Sequence, residues 1–169
     1  MKKCLFVTLF LLLLNTSPSY AGNIALEQAK EAGVKKCLPA IKSISDFIIE
    51  NGNHGAHSFW SSQKPDDQLF TSTVERNFSD GKLLTSISVA PVKTGECAIV
   101  YEQVGFYPKS CVAVSKETFS KYQYKGELNK EVVILQSTSA TVYLMPVEGG
   151  CVTMKKEIIS DGNSLKVIP

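Results

Sequence analysis

The chain has 169 residues with 18 basic and 16 acidic side chains, 44% hydrophobic residues and five cysteines. A charge of +2 is too small for a nucleic-acid binder, which shows a basic excess that neutralises phosphates, and Arg76 is the single arginine. The fork that reads phosphate or guanine is therefore nearly absent.

Residues 1–21 have the three parts of a secretory signal peptide. Lys2 and Lys3 make a basic start, residues 4–14 are apolar apart from one threonine, and Ser19 and Ala21 put small residues at −3 and −1 of a cut before Gly22. The apolar run is 11 residues long, whereas a membrane-crossing helix needs about 20. No transmembrane segment is expected after signal removal. A short apolar segment behind MKK is of the bacterial kind, so the product is expected in the periplasm or outside the cell. Cleavage leaves 169 − 21 = 148 residues and 18 − 2 = 16 basic against 16 acidic side chains. That length suits one domain, 22–169.

Cys4 departs with the signal. Cys37, Cys97, Cys111 and Cys151 remain, with no CxxC spacing for a metal. Four cysteines in an oxidising compartment predict two disulfides out of three possible pairings. The expected pairs are Cys97–Cys111, across one strand-to-strand loop, and Cys37–Cys151, from the helical stripe to the sheet.

From residue 24 apolar residues recur at helical spacing: Leu26, Ala29, Gly33, Cys37, Ile41, Ile44 and Ile48. This is one buried face. Pro39 removes a backbone donor, so the helix is expected to kink or break near residues 37–38 and resume to about residue 50. Asn51-Gly52 terminates it.

Residues 68–78 and 83–90 read as strands around an Asp80-Gly81 hairpin. Residues 97–104 and 111–114 read as two more, with Phe106 and Tyr107 at the tip of the loop between them. Residues 115–123 read as a short helix or irregular crossover, packed by the stretch Tyr122-Gln123-Tyr124. Residues 132–137, 140–146 and 151–159 complete the set, with Gly149-Gly150 in the last hairpin and a turn at 161–163. The expected fold is α+β: an N-terminal helix, kinked or broken at Pro39, packed on an antiparallel β-sheet of six to seven strands. The alternative is an all-β sandwich with a helical appendage.

The stretch NGNHGAHSFWSS, residues 51–62, holds the only two histidines and the only tryptophan. Read as a loop, it anchors Phe59 and Trp60 onto the core or presents a contact surface. His54 and His57, at i and i+3, are weak candidates for sharing a metal, with Asp66 and Asp67 supplying oxygens or orienting an imidazole. HExxH and a third histidine are missing, and Ser58, Ser61 and Ser62 lack a GxSxG elbow. A loop closed by a disulfide around Phe106 and Tyr107 is a second binding candidate, because a rigid loop loses little entropy on contact. Asn77-Phe78-Ser79 matches a glycosylation acceptor that a bacterial chain does not use.

The candidate binding residues are thus His54, His57, Phe59, Trp60, Phe106 and Tyr107. No catalytic residue and no cofactor is assigned. The reading is an exported, non-catalytic binding protein, such as an inhibitor, immunity-like or envelope accessory protein, whose partner is another protein or envelope component. The alternatives are a small envelope hydrolase or metal-dependent enzyme using His54 and His57, and a structural subunit of a secretion or surface assembly.

Overall fold

The computed structural model describes residues 22–50, 52–78, 81–160 and 163–164. The expected signal peptide, Asn51, the Ser79-Asp80 turn and most of the tail lie outside the described residues.

The helical pattern forms two helices, α1 (Ile24–Ala32) and α2 (Leu38–Ile49). Asn23 caps α1: its Oδ1 accepts from the Leu26 N–H at 3.0 Å. Its Nδ2 donates to Ser45 Oγ at 2.7 Å and Asp46 Oδ1 at 2.8 Å, which ties the two helices together. The break comes earlier than Pro39 alone would place it. Gly33 stops α1 at φ 90°, where a residue without Cβ is favoured, and its N–H reaches back to the Ala29 and Lys30 carbonyls. Pro39 then sits in the first turn of α2, as expected, where a missing N–H costs nothing. Arg76 closes the other end by donating to the Ile48 carbonyl at 2.8 Å, and its guanidinium lies over the Phe78 ring. The lone arginine is a helix cap.

The strands are β1 (His54–Trp60), β2 (Phe70–Phe78), β3 (Gly81–Pro91), β4 (Cys97–Tyr107), β5 (Gln123–Leu128), β6 (Val132–Gln136), β7 (Ala140–Val147), β8 (Gly150–Ser160) and β9 (Asn163–Ser164). Eight of them form one antiparallel sheet in the order β1-β2-β3-β4-β8-β7-β6-β5, and the two-residue β9 pairs with β8. The fold is α+β, but the sheet exceeds the six to seven strands expected, and the helices are not one N-terminal element. A third, α3 (Cys111–Glu117), interrupts the strands.

Three segments differ from the sequence reading. Residues 54–60 extend as the terminal strand β1 instead of a loop. Residues 111–114 are helical, because the Ser110 hydroxyl accepts from the Ala113 N–H at 3.2 Å and caps α3. A four-residue apolar run fits either element, and the cap decides it. Residues 123–128 are a strand, with a register shift between Tyr124 and Gly126. Within the crossover Tyr122 does pack, 5.4 Å from the Phe119 ring, while Tyr124 is exposed.

The disulfides are Cys37–Cys97 and Cys111–Cys151. The expected pairing is overturned by the length of β4. Its 11 residues carry Cys97 about 33 Å from the far end of the strand at ~3.3 Å per residue, too far to reach Cys111. Cys97 instead lies beneath the start of α2, Cα–Cα 5.8 Å from Cys37. At the other end Tyr107 opposes Cys151 in register, and the short connection to α3 sets Cys111 above it, Cα–Cα 5.0 Å.

Both cores lie on the same face of the sheet. One packs α1 and α2 against Phe70, Val74, Ile87, Val89, Ile99 and Tyr101. The other packs α3 against Leu135, Val142 and Leu144. Register carries the face across the seam, since Ile99 opposes Ile159 and Leu135 opposes Val142, which opposes Lys155.

Non-reducing peptide mapping should recover peptides joined 37–97 and 111–151, and no peptide joined 97–111. Replacing Cys37 and Cys97 together by alanine removes a loop closure spanning 60 residues and should lower the urea unfolding free energy by about 4 kcal/mol. Gly150 offers a second test. A Cβ there would lie 2.2 Å from the Tyr107 carbonyl and 2.8 Å from the Phe106 ring. The ring can swing away, whereas the backbone cannot. Gly150→Ala should therefore cost about 1–3 kcal/mol, read as a lower urea midpoint with unchanged slope.

Candidate functional site

The structure separates the candidate residues by strand alternation. Facing α1, His54 is buried. Its Nδ1 lies 3.0 Å from the Gly52 carbonyl, and its Nε2 accepts from the Ile24 N–H at 3.4 Å. His57 points to the opposite face, where it meets Phe59 edge to face at 4.6 Å. An i,i+3 spacing unites two side chains on a helix and divides them on a strand, so the two imidazoles cannot share an ion here. Among the described residues no three His, Cys, Asp or Glu side chains group to hold one.

The neighbouring polar residues are structural. Asp66 accepts from the Lys35 and Lys36 backbone N–H groups at 2.7 and 2.6 Å, and Asp67 pairs with Lys36 Nζ at 2.5 Å, so the β1–β2 connection is tied to the α1–α2 turn. Those two N–H groups hold the Asp66 carboxyl below the usual carboxylate range. Ser58 is buried and donates to Gln28 Oε1 at 2.6 Å, on the face away from His57. Ser61 accepts from the Lys64 N–H.

Phe106 and Tyr107 lie in the last rungs of β4, not at a loop tip. Tyr107 faces the second core beside the cystine. Phe106 faces the other way and is 57% exposed. It belongs to an apolar stripe that crosses the sheet on the face opposite α1, α2 and α3. Leu84 opposes Val104, Val104 opposes Met154, Met154 opposes Tyr143, and Tyr143 opposes Ile134. Directly opposed residues share a face, so five strands contribute one row. A second, shorter row runs Phe106, Val152, Met145. Leu84 is 48% and Val104 39% exposed. Charges on this face are matched locally: Lys82 Nζ lies 3.0 Å from Glu75, and Lys156 donates to Glu102 at 2.8 Å. His57 and Phe59 share the face but sit two strands from Leu84 and three from Phe106, the latter about 14 Å at the usual strand spacing. Trp60, at the end of β1, has the parity of the helix-covered face and is partly exposed. The six residues do not converge.

The sequence reading missed a second feature. On the helix-covered face, between α2 and the β4–β8 ladder, lies an open groove of about 770 Å³. Pro39, Ala40, Ser43, Ile44 and Phe47 form its helical wall, and Ile99, Tyr101 and Ile159 its floor. One end is polar. Tyr101, almost completely buried, donates its hydroxyl hydrogen to Glu157 Oε2 at 2.5 Å. Lys155 Nζ donates back to the Tyr101 oxygen at 2.9 Å and lies 3.6 Å from Glu157. Burial, and then the Glu157 carboxylate, push the phenol far above its usual range. At physiological pH Tyr101 is a hydrogen-bond donor and not a base. The signal was present in CVTMKKEII: strand alternation from Cys151 places Lys155 and Glu157 on the same inward face as Thr153 and Ile159.

No family model, no curated protein and no solved structure matches the chain. The assignment of function therefore rests on geometry alone.

The phenol gives a sign-definite test. Its folded value is raised above the unfolded value of about 10, so its contribution to stability is complete below pH ~10 and is lost as pH rises beyond that. In an alkaline titration followed by tyrosinate absorbance, the trace for Tyr101→Phe should overlay the wild type until the protein unfolds. Loss of one tyrosine ionising near its ordinary value would show that the phenol is not held by Glu157.

Proposed function

We propose that the chain is an exported bacterial binding protein that docks a protein partner on the bare face of its sheet. In this reading the signal is removed before Gly22, residues 22–169 act as one unit, and the product works in the periplasm or outside the cell as an inhibitor, immunity-like or envelope accessory protein. Two disulfides suit an oxidising compartment, and among the described residues no helix is long and apolar enough to cross a membrane.

The observation that carries the reading is the stripe Leu84-Val104-Met154-Tyr143-Ile134 with Phe106 beside it. An apolar sheet face that has no covering layer among the described residues is a surface suited to a second one. The ion pairs flanking it are satisfied within the chain, so a partner need not neutralise a buried charge there. Phe106 is the aromatic anchor of the surface, and a truncated anchor of this kind typically costs 2 kcal/mol or more, roughly 30-fold in affinity. His57 and Phe59 lie outside the stripe, at the edge of the same face.

Immobilised protein should retain a partner from periplasmic extract, and the pair Leu84→Lys with Phe106→Asp should reduce that retention at least tenfold while leaving the thermal midpoint nearly unchanged. Sedimentation velocity on both forms would reveal whether the occupant is a second copy, as the structural-subunit reading requires. A partner retained by the double variant, or turnover of peptidoglycan, ester or peptide substrates by the purified protein, would overturn the proposal.

A further inference from the structure

The groove under α2 is on the opposite face from the apolar stripe and needs its own occupant. Its volume of about 770 Å³ lies within the range of small-molecule sites, roughly 300–1,000 Å³. Its lining mixes apolar walls with polar groups: Tyr101, Lys155 and Glu157 cluster at one end, Ser43 lies on the α2 wall, and Lys36, paired with Asp67, lies toward the Cys37–Cys97 end. The polar end sets the chemistry of what fits.

Three groups form a closed chain there, from Lys155 to Tyr101 to Glu157. The formal charges of lysine and glutamate cancel. Tyr101 gives its hydrogen to Glu157 and receives one from Lys155, so it has little left to offer a ligand. Lys155 has three N–H groups, of which one goes to Tyr101 and one faces Glu157 at 3.6 Å, leaving a donor free. Among the described residues the contacts to Glu157 fall on Oε2, leaving Oε1 as an acceptor. The lysine side chain is 26% and the glutamate 16% exposed, so both are largely withdrawn from solvent and present their remaining surface to the groove.

A ligand carboxylate entering this end would pair with Lys155 and be repelled by Glu157. An ammonium would do the reverse. Either would leave one fixed charge facing a like charge beside two mostly buried side chains, where the repulsion is screened less than at an exposed surface. A carboxamide meets neither problem. Its oxygen accepts from Lys155, its N–H donates to Glu157, and its apolar remainder lies along Ile99, Ile159, Ala40 and Ile44. Phe47, 56% exposed and edge-on to the Tyr101 ring at 6.2 Å, stands beside this end and can close over an apolar chain.

We propose that the α2–sheet groove binds a small molecule with an apolar body and an uncharged head of the carboxamide class, the head bridging Lys155 and Glu157.

The test uses the uncharged dye N-phenyl-1-naphthylamine as groove probe and three competitors of equal chain length: octanamide, octanoate and octylamine. The dye should bind the intact protein and be lost in Ser43→Trp, which fills the groove from an exposed position on α2 outside the core. Octanamide should displace it at a concentration at least tenfold lower than either charged competitor. Glu157→Gln should improve octanoate relative to octanamide, and Lys155→Met should improve octylamine. Phe106→Asp, on the other face, should leave all three curves in place, so the groove and the docking stripe stand or fall separately. Dye binding unchanged by Ser43→Trp would overturn the site. Equal displacement by all three competitors, or a preference for the acid or the amine, would overturn the ligand class.

Discussion

The ladder between β4 and β8 is the constraint on which the rest of the structure depends. It runs through ten directly opposed pairs, from Ala98–Ser160 to Tyr107–Cys151, and among the described residues it is the one strand pairing that joins the two halves of the sheet. Both cystines attach to it, one at each end and on the same face: Cys97 on β4 holds α2, and Cys151 on β8 holds α3. A slip of one residue would turn a strand's cystine half, and every core residue with it, to the bare face. The covalent bonds therefore reinforce a register that the alternation of Ile99, Tyr101 and Ile159 already favours.

Because each helical layer is held at one end of the ladder, part of the covered face is left open beside α2. Tyr101, Lys155 and Glu157 occupy this gap. Inward-facing charges on a central strand are costly unless they are paired and hydrogen-bonded, and these three satisfy one another at a place where a fully apolar layer would have packed more simply. Arg76, by contrast, serves the scaffold alone, as a donor to the end of α2. Polar groups in this molecule thus divide into those that close the backbone's open ends and those that line the groove.

Much of the architecture was legible where local chemistry decides it. Gly33 and Pro39 punctuate the helices, glycine marks the hairpins beside β3 and β8, and alternation marks the long strands. What escaped was decided by partners distant in the chain. The run at 111–114 is equally apolar as helix or strand until Ser110 caps it. The run at 54–60 contains Gly55 and Ala56, poor strand formers on propensity, and becomes a strand because β2 offers an edge and α1 lies against it through Gln28, which donates to the Ala56 carbonyl. Cystine pairing depended on the length of β4, which continues through Gly105 instead of turning there. Of the site, Phe106 was found for its aromaticity but given the wrong setting, while the stripe it belongs to needs the register of five strands and so lies beyond any single segment.

The order of the cystines carries a consequence for how the chain matures. The two covalent rings are consecutive: the first closes with Cys97, before Cys111 is reached, and neither encloses the other. A polypeptide that emerges N-terminus first presents these four thiols in the sequence 37, 97, 111, 151, so joining each newcomer to the unpaired one of the four before it produces the native bonds directly. Bonds made in that order pass through no non-native pair of the four, so the route asks for an oxidant rather than a reshuffling of bonds.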